Sequence, residues 1–470
     1  MPRFVSARPD VGLITLPWNL PLEAWPRDNL VALPRGISRH VVRFIRVGRS
    51  VYAAKEVIEH LAVHEYRLLH DLHRLDTPSV EAVGVVTERY DDEGRPLDPV
   101  LLTRHLQYSL PYRSLFTRGI RQDTVNRLVD AMVVLLARLH LIGFLWGDVS
   151  LSNTLFRRDA GAFAAYLVDA ETGELHDQLT TGQREHDLTI ARTNLFGEFS
   201  DLEAGGLLDA ALDPLALVES IEARYRELWG ELTGVEEFDG SEMHRIDSRI
   251  RRLNALGFDV AELDITTDIG GSSIRIQPKV VDAGHHSRRL IRLTGLDTEE
   301  NQARRLLNDL DAFRARTDQQ GADEAIVAHQ WLTEVFEPVI NAIPDALRGR
   351  LEPAEVFHEV LESRWFASEN AGREISMAQA TDDYLQQVLA RRPDEGLDGE
   401  PGLAMVAEPV DPNADPTLDP IDAPWGGNAE PDDEEPPYDP WEADADAVDE
   451  SEARHFDIDA LRARSKPPTN

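Results

Sequence analysis

Leu145-Trp146-Gly147-Asp148-Val149-Ser150-Leu151-Ser152-Asn153-Thr154-Leu155-Phe156 reads as a loop between two apolar elements, with an aspartate and an asparagine five residues apart. Before it, apolar residues recur at helical spacing from about Thr124 to Ile142. After it, a short strand is expected near Thr154–Phe156 and another at Ala164–Val168. The second strand ends in Asp169, sixteen residues beyond Asn153. An Asp–Asn pair at this spacing is common by chance, and a lone Asp169 would read as a turn or cap residue. The preceding helix and the apolar strands give the pair its weight.

Further toward the N-terminus, Val41–Val47 and Val51–Lys55 form two extended runs around a turn at Gly48 to Ser50, the pattern of a hairpin. Residues 59–74 then change to helical spacing, with Leu61, Leu68 and Leu72 on one face, and strands are expected at Ala82–Arg89 and Val100–Leu106. Lys55 closes the hairpin. A strand-end lysine usually snorkels to solvent, but this chain has 45 Arg and only 3 Lys. A retained Lys suggests a site that wants a compact charge instead of a planar fork. Glu65, four residues after Leu61 and three before Leu68, falls on the inward face and is preferred over Glu59 as the partner of Lys55.

Transfer of a phosphoryl group from ATP needs a cation on the phosphates, carboxylate and amide ligands for Mg²⁺, and a carboxylate to orient the acceptor hydroxyl. Lys55, Glu65, Asp148, Asn153 and Asp169 supply these groups in that order along the chain. Asp148 suits the proton acceptor, Asn153 and Asp169 the Mg²⁺ ligands, and Lys55 with Glu65 the ATP phosphates.

Residues 36–190 resemble the protein-kinase-like superfamily, on the side of the lipopolysaccharide-core sugar kinases and aminoglycoside kinases. Trp146-Gly147-Asp148 is similar to their H-G-D and Val168-Asp169-Ala170-Glu171 to their I-D-x-E. Glu185-His186-Asp187-Leu188 resembles a later D-L-A, which implies that Asp187 is a structural brace of the catalytic loop. The whole chain also resembles an uncharacterised bacterial family in which such a domain precedes one of unknown function. His285-His286-Ser287-Arg288-Arg289 and Glu300 to Leu310 carry that likeness. The pattern is not complete. Pro34-Arg35-Gly36-Ile37-Ser38-Arg39 offers a single glycine to the phosphates, Trp146 stands where the family has His, and the glycine after the metal aspartate is missing. A catalytically inactive nucleotide-binding pseudokinase or scaffold is therefore the alternative to an active kinase.

The expected fold is α+β: a two-lobed protein-kinase-like domain over 29–240 after an N-terminal extension (1–28), then a mainly helical domain over 241–393. Its helices are expected from Asp297 with Leu306, Leu307, Leu310 and Phe313 inward, and over 322–343, 353–365 and 376–391, with a small β element at 264–282. Residues 394–470 hold 23 acids and 4 bases, a net of −19 out of −37, and are Pro-rich. Such a composition predicts a disordered tail that is dispensable for folding. The acidic body speaks against nucleic acid as a partner. Against it, Arg288, Arg289, Arg304 and Arg305 form a basic island, either paired with nearby acids or docking an anionic ligand or the tail. There is no Cys, which excludes thiolate metal sites. His60 and His64 stand at i,i+4 without the acid motif of a metal helix. No signal peptide or membrane span is evident, so a cytoplasmic protein is expected. The acceptor hydroxyl could belong to a small molecule, a sugar or a protein.

Overall fold

The structure is a computed structural model. It describes residues 2–6, 10–31, 33, 40–48, 50–116, 122–234, 236–238, 248, 253, 258–267 and 274–392. Gly36 and the acidic tail lie outside these residues.

The chain is α+β, a sheet-rich lobe followed by a helical one and then by a further helical domain. The first lobe is an antiparallel six-stranded sheet in the order Arg3–Val5, Ala82–Thr87, Val100–Arg104, Ser50–Glu56, Val41–Val47, Leu30–Val31. Alternation along the strands divides its two faces. Tyr52, Ala54, Val86, Val100 and Leu102 face one cluster, and Val85 and Leu101 face another that includes Ala62 of the Glu59–Arg74 helix. Lys55 pairs with Leu101 across the sheet, so it emerges on the helix side.

Residues 1–25 show no clear period in sequence, yet Leu13, Trp18, Leu22 and Trp25 cover the opposite face of the sheet. Arg89 ties this segment down. Its side chain is buried and donates to the carbonyls of Trp18 (3.2 Å), Leu20 (2.5 Å) and Asp98 (2.5 Å) and to Glu56 (2.8 Å). The run expected as one strand over Ala82–Arg89 breaks at Glu88, whose φ of 52° is left-handed. Arg89–Tyr90 then pairs separately with Pro96–Leu97.

In the second lobe, the Gln122–Leu141 helix packs on Pro214–Thr233 and on the Ala162–Leu167 strand. Thr154–Asp159 and Ala162–Leu167 form a hairpin longer than the expected three-residue start, joined at its edge by Ser109–Pro111. The Thr181–Ala204 helix begins on a capping box between Thr180 and Gln183. Among the described residues no helix is long and apolar enough to cross a membrane.

Beyond these lobes, Phe258–Thr267 and Ile274–Ala283 pair as two ten-residue strands, longer than the β element expected at 264–282. Helices Glu300–Arg316, Glu324–Trp331, Pro353–Ala371 and Met377–Gln387 then pack around Leu306, Leu310, Trp331, Phe357 and Tyr384. The helix expected over 322–343 is interrupted by a π-helical turn, Leu332–Phe336. This domain grips the 154–167 hairpin. Asp159 accepts from the backbone N–H groups of Asn301 (3.1 Å) and Gln302 (2.7 Å), at the start of a helix. Arg157 pairs with Glu299 (2.7 Å) and Glu352 (2.5 Å), and Tyr166 donates to Glu299 at 2.6 Å.

Candidate active site

Two groups of side chains meet where the lobes join. The first surrounds Lys55. Its ammonium lies 3.0 Å from Glu65, 2.8 Å from Asp169 and 3.1 Å from Glu171. Glu65 is on the buried face of its helix, with Ala62, Leu68, Leu69 and Leu72, whereas Glu59 is exposed. Burial pushes the Glu65 carboxyl up, and the charge of Asp169 adds to this, to about 8 despite Lys55. Burial also opposes the Lys55 charge, but the carboxylates of Glu65 and Asp169 outweigh it and hold the ammonium above its ordinary range. His40, at the start of the hairpin, reaches Glu171 at 2.9 Å.

The second group surrounds Asp148. Asn153 Nδ2 donates to Asp148 Oδ2 at 3.0 Å and to the Asp148 carbonyl at 3.1 Å. With its nitrogen committed there, the amide of Asn153 keeps its oxygen for a cation. The two groups are joined through the backbone, because Val168 N–H donates to the Asn153 carbonyl at 3.0 Å, one residue before Asp169. Trp146 makes a second link. It is fully buried, and its indole N–H donates to the Asp169 carbonyl at 3.2 Å. Gly147 turns at φ 76°, and a Cβ there would meet the Thr172 carbonyl at 2.9 Å, so the loop needs glycine.

The Thr181–Ala204 helix carries Asp187, which accepts from the N–H groups of Trp146 (2.7 Å) and Gly147 (2.8 Å) and contacts His140 at 3.1 Å. Burial lowers the tendency of His140 to charge, and Asp187 only partly opposes this. Sequence reasoning missed two residues of this helix. Asn194 Nδ2 donates to Asp148 Oδ1 at 2.9 Å and to the Val149 carbonyl at 3.2 Å. Glu198 accepts from the N–H groups of Leu151 (2.7 Å) and Ser152 (2.8 Å), and burial raises its carboxyl. The available signal was helical spacing, since 187, 194 and 198 share a face with the buried Leu188, Ala191 and Leu195.

A hard divalent cation prefers oxygen donors. Glu65, Asp169 and Glu171 can bring carboxylate oxygens within 4.8 Å of one another, and among the described residues they are the one such group. Three carboxylates of this kind suit a hard divalent cation. His60 and His64 are exposed and belong to no such group; His64 contacts the Gly173 carbonyl at 3.0 Å. The basic island is divided over two helices. Arg288 and Arg289 lie on His285–Thr294, with Arg289 paired to Glu324 at 2.7 Å, and Arg304 and Arg305 lie on Glu300–Arg316.

Residues 40–198 match the model of the lipopolysaccharide kinase (Kdo/WaaP) family. The chain carries a Kdo/WaaP-type kinase domain. The match to the Kdo/WaaP family spans Lys55, Glu65, Asp148, Asn153, Asp169, Asp187 and Asn194. Residues 227–389 match a domain of unknown function (DUF4032), which therefore follows the Kdo/WaaP domain in the chain. A solved structure described as WaaP in complex with acyl carrier protein is 18% identical, with a TM-score of 0.30; the match covers 48% of this chain and 99% of that one. No curated protein matches the chain.

Proposed function

We propose that this protein is an active, ATP- and Mg²⁺-dependent phosphotransferase that delivers the γ-phosphate to a hydroxyl acceptor. The observation that carries the reading is the approach of Lys55, Glu65 and Asp169 beside a loop in which Asn153 holds Asp148. In this reading Lys55 binds the ATP phosphates and Glu65 keeps its ammonium in place. Asn153 and Asp169 would hold Mg²⁺, which supplies positive charge to the phosphate oxygens when bound. Asp148 takes the proton of the acceptor hydroxyl as its oxygen bonds to the γ-phosphorus and the bond to the β–γ bridging oxygen breaks, leaving ADP. Asp187 fixes the loop backbone so that Asp148 stays in reach. The acceptor is a sugar, small molecule or protein hydroxyl, and the setting is cytoplasmic.

A scaffold that binds nucleotide without turnover is the second reading. It is favoured by the polar grip of the C-terminal domain on the 154–167 hairpin through Asp159 and Arg157. Turnover of Mg·ATP and nucleotide affinity, measured on the same variants, separate the two. Asp148→Asn should retain nucleotide affinity and lose about a hundredfold or more in turnover. Asp169→Asn should weaken Mg²⁺-dependent binding itself, and Lys55→Arg should not restore what Lys55→Met loses. Wild-type protein that binds Mg·ATP but never releases ADP would leave the scaffold; wild type that binds none would exclude both.

A further inference from the structure

The Thr181–Ala204 helix touches the candidate catalytic loop at three successive levels. Asp187 takes the N–H groups of Trp146 and Gly147, Asn194 reaches Asp148 and Val149, and Glu198 takes those of Leu151 and Ser152. Steps of seven and four residues return to the same side of a helix, and eleven residues extend about 16 Å along its axis. The loop is therefore laid parallel to the helix, residue by residue, and held at both ends by carboxylates. The middle contact differs in kind. Asp187 and Glu198 accept from backbone, whereas Asn194 donates to the side chain proposed to take the proton.

Asp148 meets one amide on each oxygen, Asn153 on Oδ2 and Asn194 on Oδ1. A carboxylate held by a single donor can still turn about its Cβ–Cγ bond. Two donors, one from the loop and one from the helix, fix the plane and so the direction of the remaining lone pairs. Asn153 is also a candidate metal ligand, so its position depends on the cation. Asn194 makes its contact from a helix whose neighbouring Ala191 and Leu195 are buried in the lobe.

Resting on the phosphotransferase reading, we infer that Asn194 is a positioning residue that sets the plane of the Asp148 carboxylate for proton acceptance, independently of nucleotide and metal. The consequence is a split between kcat and KM. A group that orients the proton acceptor alone should change turnover and leave Mg·ATP binding untouched.

The experiment measures ADP release from Mg·ATP with water as acceptor, equilibrium nucleotide affinity and Tm for the full chain and two variants. Asn194→Leu keeps the size and removes the donor; turnover should fall about tenfold, with KM for Mg·ATP, nucleotide affinity and Tm near wild type. Asn194→Asp keeps size and polarity but sets a second carboxylate against Asp148, so its loss should be deeper with affinity still retained. It also provides the test if the leucine variant does not fold. Full turnover in either variant overturns this inference alone. A fall in turnover matched by a fall in affinity or Tm overturns it too, since that marks a structural role. Absence of ADP release by the wild-type chain overturns the phosphotransferase reading and this inference with it.

Discussion

Trp146 shows how one residue can connect two parts of a site. Its fully buried indole donates its N–H to the carbonyl of Asp169, 3.2 Å away. Its own backbone N–H is held by Asp187 at 2.7 Å. The ring therefore fills space and also couples the position of Asp169 to the loop that carries Asp148. Trp146→Phe retains the apolar bulk and removes the donor, leaving a partly buried carbonyl short of a partner at a cost of about 1 kcal/mol. The variant should fold with a lowered Tm and bind Mg·ATP several-fold more weakly, as read by nucleotide titration. Unchanged affinity and Tm would show that the indole only packs.

Among the elements, the N-terminal segment and the hairpin contact each rest on an arginine. Arg89 joins the segment to the sheet through three carbonyls and Glu56, and none of its side chain is exposed. Arg89→Met should destabilise the lobe by about 3–5 kcal/mol, because it strands the half-buried Glu56 carboxylate and three carbonyl acceptors. Denaturant unfolding measures this, and a chain beginning at Asn29 should lose solubility by baring the sheet face that Trp18 and Trp25 cover. Arg157 plays the matching part between the hairpin and the helical domain, with Glu299 and Glu352 as partners. Arg157→Ala should separate the unfolding of the two into distinct transitions. A single transition at the wild-type midpoint would argue that apolar packing alone joins them.

For the whole molecule, buried titratable groups oppose extremes of pH from both sides. Burial, with the charge of Glu299, pushes Asp159 up to about 8, and burial with Asp169 does the same for Glu65. A carboxyl whose folded value lies above its unfolded one contributes stability that is complete at low pH. That contribution is lost as pH rises from about 4 through 8. Burial pushes His105 down to about 4, so its contribution is complete above pH 6.5 and is lost as pH falls toward 4. Each such group contributes a slope of about 1.4 kcal/mol per pH unit inside its window. The carboxyl and histidine slopes oppose each other below pH 6.5 and only the carboxyl slope remains above it, so Tm measured against pH should decline from about pH 6.5 to about 8. Replacing Asp159 by Asn should flatten that decline, and a Tm that rises over this interval would contradict the assignment.

The sequence by itself determined the α+β class, the hairpin ending in Lys55, the helix with Glu65 inward, and the Asp148–Asn153 loop before Asp169. These depend on local spacing, because apolar periodicity and turn residues act over a few positions. The N-terminal segment was illegible for the same reason: its tryptophans obey the face of a sheet built in part from Val100–Arg104, far along the chain, not a period of their own. Glu88 broke an expected strand through a backbone angle that its side chain does not announce. Asn194 and Glu198 look like ordinary polar residues on a helix until the loop lies against them. Only the tertiary structure decided that Asp148 is held from two sides and that the helical domain closes on the hairpin between Asn153 and Asp169. Contacts across 46 and 143 residues, such as Asn194–Asp148 and Gln302–Asp159, depend on where helices pack, which no local pattern encodes.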